Sequence, residues 1–213
     1  MWSVYRVAAS MPTSNSQDLA ATKAPRTSGW RRLVQVLLVF ILLAGTYILF
    51  LQLLPRRAPL DESAQLEFLE QQPLSRQDRL IIPKIGVSAP IESGDWQVLE
   101  RDAVWHRYPE RGNPVEGGNT VLAAHRYVFG WTPQQVTKAS VLYNINQLEV
   151  GDSVYVDYRG KRYAYKIASK STVAADASEI EAKTDEPRLT IYSCTLKGER
   201  DGREVVVAEP IRL

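Results

Sequence analysis

The chain has 213 residues, a formal net charge of +2 and a single cysteine. A charge this small, with no basic patch interleaved with aromatic residues, excludes the usual signature of a nucleic-acid-binding protein. One cysteine and two histidines are also too few for the common tetrahedral zinc sites.

The N-terminal part of the chain has the pattern of a membrane anchor. Residues 1–29 are rich in Ser, Thr and Ala without an apolar period, so we expect a disordered tail. Residues 33–54 carry no charge, and as a helix they would span about 33 Å, enough to cross a bilayer. No small-residue cleavage site follows. We predict an uncleaved transmembrane segment over residues 30–54.

Basic residues flank this segment unequally. Five precede it and two follow it: Arg6, Lys23, Arg26, Arg31 and Arg32, then Arg56 and Arg57. Because positive residues favour the cytoplasmic side of a membrane segment, we predict a cytoplasmic N-terminus and residues 55–213 outside the cell membrane.

Two regions follow the anchor. Residues 55–78 are interpreted as a stalk or linker, in which Asp61 caps a short helix. Residues 79–213, about 135 residues, are the right size for one domain with its own core.

This domain has mainly the pattern of β-strands. The turn Arg159-Gly160 predicts a hairpin. No helix long enough for a βαβ crossover separates the strands, which favours a mainly β, antiparallel or mixed barrel. Strands are predicted at 79–83, 87–91, 119–124, 153–158, 162–168, 188–193 and 204–213, and short helices at 95–104 and 140–148.

Three residues at predicted strand edges have the side chains that thiol catalysis needs. We predict Cys194 as the nucleophile, His125 as the proton donor and Arg203 as the group that stabilises an oxyanion or orients the substrate. Cys194 and His125 lie 69 positions apart, so only the fold can bring them together. The alternative for Cys194 is a buried, unreactive thiol.

Each of the other two residues has a rival of the same type. His106, in an aromatic turn before a proline, is interpreted as structural or as lining a substrate groove. Arg200 lies in a glycine-flanked loop, where arginines are usually solvated.

Four segments match one known arrangement. Residues 190–194 read T-I-Y-S-C, residues 118–126 read G-N-T-V-L-A-A-H-R, residues 203–207 read R-E-V-V-V, and residues 82–91 form an early I-P-K-I-G signature. In this order, after an N-terminal anchor, they resemble the sortases, membrane-anchored cysteine transpeptidases of bacterial surfaces. The family motifs T-L-x-T-C and L-A-G-H-R differ here at Ile191, Ser193 and Ala124.

The resemblance implies a closed β-barrel of about eight strands with short flanking helices. It implies that Cys194 attacks a peptide carbonyl in the C-terminal sorting signal of a secreted protein and that an acyl-thioester forms. His125 would protonate the departing amine. An amine acceptor, such as a cell-wall precursor, would then resolve the intermediate. The predicted substrate-binding residues are Ser193, Thr195, Ala124 and His106.

The chain ends at Leu213, directly after the last predicted strand, with no second membrane span and no obvious lid motif. We therefore expect a class D- or E-like enzyme rather than a pilus-polymerising one. No cofactor is required. The loop from 174 to 186 carries five carboxylates that could supply oxygen ligands to calcium, although a solvated acidic loop is the simpler interpretation.

Three alternatives remain open at this point. A hydrolytic cysteine peptidase would use the same groups. An L,D-transpeptidase resembles S-H-G-C-x-R, but Tyr192 stands where that pattern has its histidine. A non-catalytic, membrane-anchored β-domain that binds peptides would keep the barrel without thiol-dependent products.

Overall fold

The structure, a computed structural model, describes residues 29–53 and 58–211. Expectations for the predicted tail up to residue 28, for the basic pair Arg56 and Arg57, and for residues 212–213 lie outside the described residues.

Helix α1 spans Gly29–Leu53 and is long and apolar enough to cross a membrane. Its 25 residues extend about 37 Å at 1.5 Å per residue. Large apolar side chains such as Val36, Phe40 and Leu43 are exposed along it. A helix that is apolar on every face and not buried by protein is typical of a membrane span. This supports the predicted single-pass anchor.

The second described range contains a closed β-barrel of mixed strand direction. Its strands are β1 Arg79–Ile82, β2 Val87–Ser93, β3 Val104–Arg107, β4 Gly112–Asn113, β5 Gly117–Ala123, β6 Ser153–Tyr158, β7 Lys161–Val173, β8 Arg188–Thr195 and β9 Gly198–Pro210.

Eight strands close the barrel in the order β3-β2-β1-β6-β7-β9-β8-β5, and β3 pairs with β5 to complete the ring. The two-residue strand β4 adds to the edge of β5. The pairs β2–β3 and β5–β8 are parallel, and the others are antiparallel. The predicted mainly β, closed, eight-stranded barrel is therefore confirmed.

Alternation along the strands separates an interior from an outer surface. Inward side chains such as Leu122, Ile191 and Val206 are at most 1% exposed and belong to the main apolar core. Their neighbours one position away form a second apolar cluster on the outer face of the same strands, and we call it the outer cluster: Val121, Ala123, Tyr192 and Val205. Successive residues of a strand point to opposite faces, so one short stretch of chain serves both clusters.

Several local predictions are confirmed at the residue level. Arg159 and Gly160 have φ angles of 49° and 77° between β6 and β7, as a two-residue hairpin turn requires. Asp61 caps helix α2 (Glu62–Glu70) by accepting a hydrogen bond from the backbone N–H of Ala64 at 2.8 Å. A 3-10 helix, Trp96–Arg101, occupies the region predicted as helical over 95–104.

Three helix or strand assignments differ from the sequence prediction. Strand β9 begins at Gly198, inside the segment predicted as a loop, and not at 204. The predicted helix at 140–148 contains only a 3-10 turn, Ile145–Gln147, whereas an α-helix, α3, occupies Pro133–Ala139. Thr132 and Gln135 form a capping box at the start of α3, a pattern readable in the sequence. The residues around His106, predicted as a turn, form β3 and pair with β2 and β5.

The region predicted as a stalk contacts the barrel along part of its length. The backbone N–H of Leu60 donates to the Lys84 carbonyl at 2.7 Å. The side-chain oxygen of Gln72 accepts a hydrogen bond from Ser88 Oγ at 2.7 Å. The backbone carbonyl of Gln72 accepts one from Arg162 Nη2 at 2.9 Å. These hydrogen bonds extend the folded unit to the N-terminal side of residue 79.

Candidate active site

Strand pairing brings the three predicted catalytic residues to one end of β5, β8 and β9. Cys194 on β8 lies directly opposite Arg203 on β9. Ala123, the last residue of β5, pairs with Tyr192 in parallel register. The backbone N–H of Ala124 donates to the Tyr192 carbonyl at 3.3 Å. His125, one position further, therefore lies level with Cys194.

These residues share the outer face of the barrel. Cys194 and Tyr192 are two positions apart on β8, and Tyr192 belongs to the outer cluster. His125 follows Ala123 by two positions, and Arg203 precedes Val205 by two, and both neighbours also belong to the outer cluster. Side chains two apart on a strand point the same way. The site is thus a row of three residues at the surface, next to an apolar row.

The Cys194 thiol is half-buried and has no disulfide partner. Burial raises the pKa of the Cys194 thiol, while the positive charge of Arg203 lowers it and Glu199 raises it. The balance keeps the thiol protonated near neutral pH. A nucleophilic role therefore requires a base that removes this proton.

The Arg203 guanidinium is held by backbone carbonyls of its own strand, β9. Its Nη1 donates to the Glu199 carbonyl at 2.7 Å and to the Gly202 carbonyl at 3.1 Å. These bonds keep the cation next to Cys194. Its rival Arg200 lies on β9 rather than in the predicted loop, but its side chain is exposed, as the sequence interpretation of a solvated arginine expects.

His125 is partly exposed and is fixed through its backbone. Its carbonyl accepts a hydrogen bond from the Leu142 N–H at 3.1 Å. The next residue, Arg126, is 4% exposed and donates to Asn146 Oδ1 at 2.8 Å. Sequence reasoning missed Arg126. No local pattern marks it, because residues 121–124 are all apolar and do not show which positions face inward.

A family model described as a sortase domain matches residues 80–211, which covers the barrel. The chain belongs to the sortase family. The curated relative Sortase SrtE1 of Streptomyces coelicolor is 36% identical over 97 residues, which cover 42% of this chain and 25% of that protein. The chain thus spans about a quarter of that relative's length.

Solved sortases have the same barrel. The Sortase D5 transpeptidase of Clostridium perfringens superposes with a TM-score of 0.53 at 26% identity, covering 72% of this chain and 90% of that one. Sortase C-1 of Actinomyces oris gives 0.54 at 25%, covering 75% and 87%. Sortase E1 of Streptomyces coelicolor, solved with a tripeptide in its active site, gives 0.54 at 24%, covering 66% and 90%. The fold is shared across sortases of these classes.

In this sortase domain, the four predicted substrate-binding residues are not placed alike. Ser193 and Ala124 are at most 5% exposed and face the barrel interior. The hydroxyl of Thr195, a residue 8% exposed, donates to Asp201 Oδ2 at 2.6 Å. These side chains shape the strand ends around Cys194, and the first two have almost no surface for direct contact with a peptide.

His106 is enclosed by the barrel wall. It is 2% exposed, and its Nε2 lies 3.1 Å from the Gly112 carbonyl oxygen. Its ring meets Tyr158 edge to face with 6.2 Å between centroids. Burial lowers the pKa of His106, which keeps the ring neutral. Of the two interpretations from the sequence, this environment favours the structural one.

The acidic loop between β7 and β8 separates into exposed carboxylates and one buried carboxylate. Asp176, Glu179, Asp185 and Glu186 are exposed, whereas Glu181 is 8% exposed. Within 29–53 and 58–211, no group of three or more His, Cys, Asp or Glu side chains is arranged to hold a metal ion. Calcium binding therefore gains no support from the geometry of the described loop.

Glu181 is buried because it has two strong partners on the barrel. Arg107 Nη1 lies 2.5 Å from its carboxylate, and the Tyr192 hydroxyl donates to the same oxygen. Burial and Glu181 raise the pKa of the Tyr192 phenol, so it remains a donor. Five acidic residues within eleven positions look alike in the sequence, and no local pattern there marks Glu181 as different.

Proposed function

We propose that this chain is a membrane-anchored cysteine transpeptidase that cleaves sorting signals of secreted proteins and transfers the acyl group to an amine. The observation that carries the proposal is the alignment of Cys194 with Arg203 across β8–β9, with His125 level beside them across β5–β8. Membership of the sortase family and the likeness to a solved sortase transpeptidase support it.

The first half-reaction forms an acyl-enzyme. The Cys194 proton passes to His125, which gives a thiolate and an imidazolium. The thiolate forms an S–C bond to the peptide carbonyl. The imidazolium then protonates the amine as the C–N bond breaks. Arg203 stays protonated throughout and stabilises the charge that develops on the carbonyl oxygen.

The second half-reaction reverses these roles with a new amine. The amine nitrogen attacks the thioester, gives a proton to His125, and displaces the Cys194 sulfur. The product is a peptide bond between the processed protein and the acceptor, for which a cell-wall precursor has the required chemistry. Attack by water instead would make the chain a hydrolytic peptidase, so the acceptor decides between the two outcomes.

The site would act at the outer surface of the cell membrane. Helix α1 supports a single-pass anchor, and the basic residues before it favour a cytoplasmic N-terminus. Protease added to spheroplasts should digest the barrel domain. Complete protection of this domain, with digestion only after the membrane is opened, would reverse the orientation.

The activity is tested with the full-length chain in detergent micelles. A library of peptides from the C-terminal segments of secreted proteins is incubated with the chain and triglycine, and products are identified by mass spectrometry. We expect amine-linked product and a Cys194-linked thioester, both absent from Cys194→Ala. Cleavage without amine-linked product would identify a peptidase. Peptide binding without any thioester would identify a non-catalytic binding domain.

A further inference from the structure

A closed ring of hydrogen bonds connects β3, β8 and the β7–β8 loop on the outer face of the barrel. Arg107 Nη1 contacts the Glu181 carboxylate at 2.5 Å and donates to the Tyr192 hydroxyl at 2.6 Å. The Tyr192 hydroxyl in turn donates to Glu181. Tyr192 and Glu181 are 6% and 8% exposed. We call these three residues the clamp.

Aromatic side chains fix the orientation of the Arg107 guanidinium. Its central carbon lies 4.6 Å from the centroid of the Trp105 ring and 4.9 Å from that of Tyr108. Arg107 Nη2 also donates to the Tyr108 hydroxyl at 2.8 Å. A cation held over ring faces and hydrogen-bonded at both terminal nitrogens has one favoured position. The buried carboxylate therefore meets a preorganised partner.

The loop segment that carries Glu181 is held by its backbone as well. Asn119 Nδ2 donates to the carbonyls of Ile180 and Ala182 at 3.0 and 2.9 Å, and Arg111 Nη1 donates to the carbonyl of Glu181 at 3.1 Å. The Ile180 side chain packs on the outer cluster. Residues 178–182 are thus attached to the barrel by side chains from three different places.

This segment lies next to the proposed nucleophile. Ile180 covers the row formed by Ala123, Tyr192 and Val205. Cys194 and Arg203 lie two positions from Tyr192 and Val205 on β8 and β9, a separation of about 7 Å. A peptide bound across Cys194 would therefore come close to residues 178–182.

We propose that Arg107 is a positioning residue that holds residues 178–182 as a preformed wall of the substrate groove. The proposal rests on the proposed function for the identity of the groove. Without Arg107 the Glu181 carboxylate would be a buried, uncompensated charge, so it would move to solvent and take the wall with it. With both charges removed, no uncompensated charge is left buried, so residues 178–182 should stay in place.

The two charges allow a test by a double-substitution cycle. The variants are Arg107→Met, Glu181→Gln and the pair together, in the full-length chain in detergent micelles. The introduced glutamine would still accept a hydrogen bond from the Tyr192 hydroxyl. The introduced methionine would fill the space beside the Trp105 and Tyr108 rings. The matched control is Arg101→Met, which removes an exposed ion pair with Glu92 (2.8 Å).

For Arg107→Met we expect KM for the sorting peptide to rise roughly tenfold or more with kcat within a few-fold of the parent. The rate of Cys194 alkylation by iodoacetamide should stay unchanged. Amide hydrogen exchange should accelerate in residues 174–187. The double variant should recover most of the KM and the exchange protection, and Arg101→Met should match the parent.

Three results would overturn the proposal. An unchanged KM and unchanged exchange in Arg107→Met would show that Arg107 does not hold the wall. Failure of the double variant to recover KM while exchange recovers would mean that Arg107 contacts the substrate itself. A fall in kcat with altered alkylation would place it in the chemistry. Hydrogen exchange needs no turnover, so it tests the clamp even if the parent chain proves to have no transpeptidase activity.

Discussion

The inner and outer faces of β5, β8 and β9 have opposite properties along the same strands. Inward, Leu122, Ile191 and Val206 are at most 1% exposed and fill the core. Outward, at the same end of the barrel, Cys194 and Arg203 are partly exposed and face each other. Because faces alternate at every residue, neighbouring positions at this end of the strands belong in turn to the core and to the candidate site.

Removal of the nucleophile should have the largest effect on activity and should separate the roles of the two faces most clearly. Cys194→Ala should abolish the acyl-enzyme and every amine-linked product, because a methyl group cannot form a thioester. Its free energy of unfolding should change by less than about 1 kcal/mol, since the thiol is only half-buried. Mass spectrometry and thermal unfolding measure the two effects. Residual turnover in this variant would exclude the thiol mechanism.

Arg203→Lys should slow acylation by ~100- to 1,000-fold, because an ammonium group cannot reproduce the planar fork of donors beside Cys194. The same substitution at exposed Arg200 on the same strand should have almost no effect. Single-turnover acylation followed by quenching and mass spectrometry gives both rates. The opposite ranking of the two variants would move the role to Arg200.

On the inner face, Ile191→Ala should lower the free energy of unfolding by about 2–5 kcal/mol through lost burial and a cavity. The folded fraction should acylate within a few-fold of the parent rate, although Ile191 is only three positions from Cys194. Leu196→Ala, at a side chain 55% exposed, is the control and should be nearly neutral. Denaturant unfolding measures the stability, and a large loss of acylation in fully folded Ile191→Ala would contradict the separation of the faces.

A smaller effect is expected at the N-terminal side of the barrel. A chain starting at Ser75 lacks the bonds of Leu60 and Gln72 to the barrel, whereas one starting at Ala58 keeps them. The shorter chain should be less stable by about 1–3 kcal/mol, the usual cost of a few lost hydrogen bonds, yet still fold and react. Equal midpoints in urea would show that residues 58–74 only link anchor and domain.

The smallest expected effect concerns the pH dependence of Cys194. Burial raises the pKa of its thiol, so its alkylation rate should still rise with pH where a free cysteine, with a pKa of about 8.5, is levelling off. Arg203→Gln should move the midpoint to higher pH and Glu199→Gln to lower pH, as the signs of the two charges require. Midpoints moving in the opposite directions would show that these charges do not act on the thiol.

The fold was largely predictable because its signals are local. Alternating apolar residues, the Arg159-Gly160 turn and the Asp61 cap each define an element within a few positions. Cys194 and Arg203 were each predicted at a strand edge, but their pairing across β8–β9 is known only from the structure. The β3 strand was missed because its pairing partners, not its composition, make it extended.

Other parts of the site depend on contacts between distant residues and left no local signal. Glu181 and Arg107 are 74 positions apart, and nothing in either neighbourhood marks them as an ion pair. The inward turn of Arg126 depends on where β5 ends. The predicted roles of Cys194, His125 and Arg203 stay predictions until the kinetic tests above.

The parallel pairing of β5 with β8 has a consequence for how the domain matures. It joins Asn119 to Arg188, 69 positions later in the chain, and β3–β5 closes the ring on the other side. Contacts between such distant segments form slowly, because the chain loses loop-closure entropy before the contacts stabilise the fold. His125 and Cys194 lie on opposite sides of this seam. The three residues of the candidate site are therefore brought together only when the barrel closes.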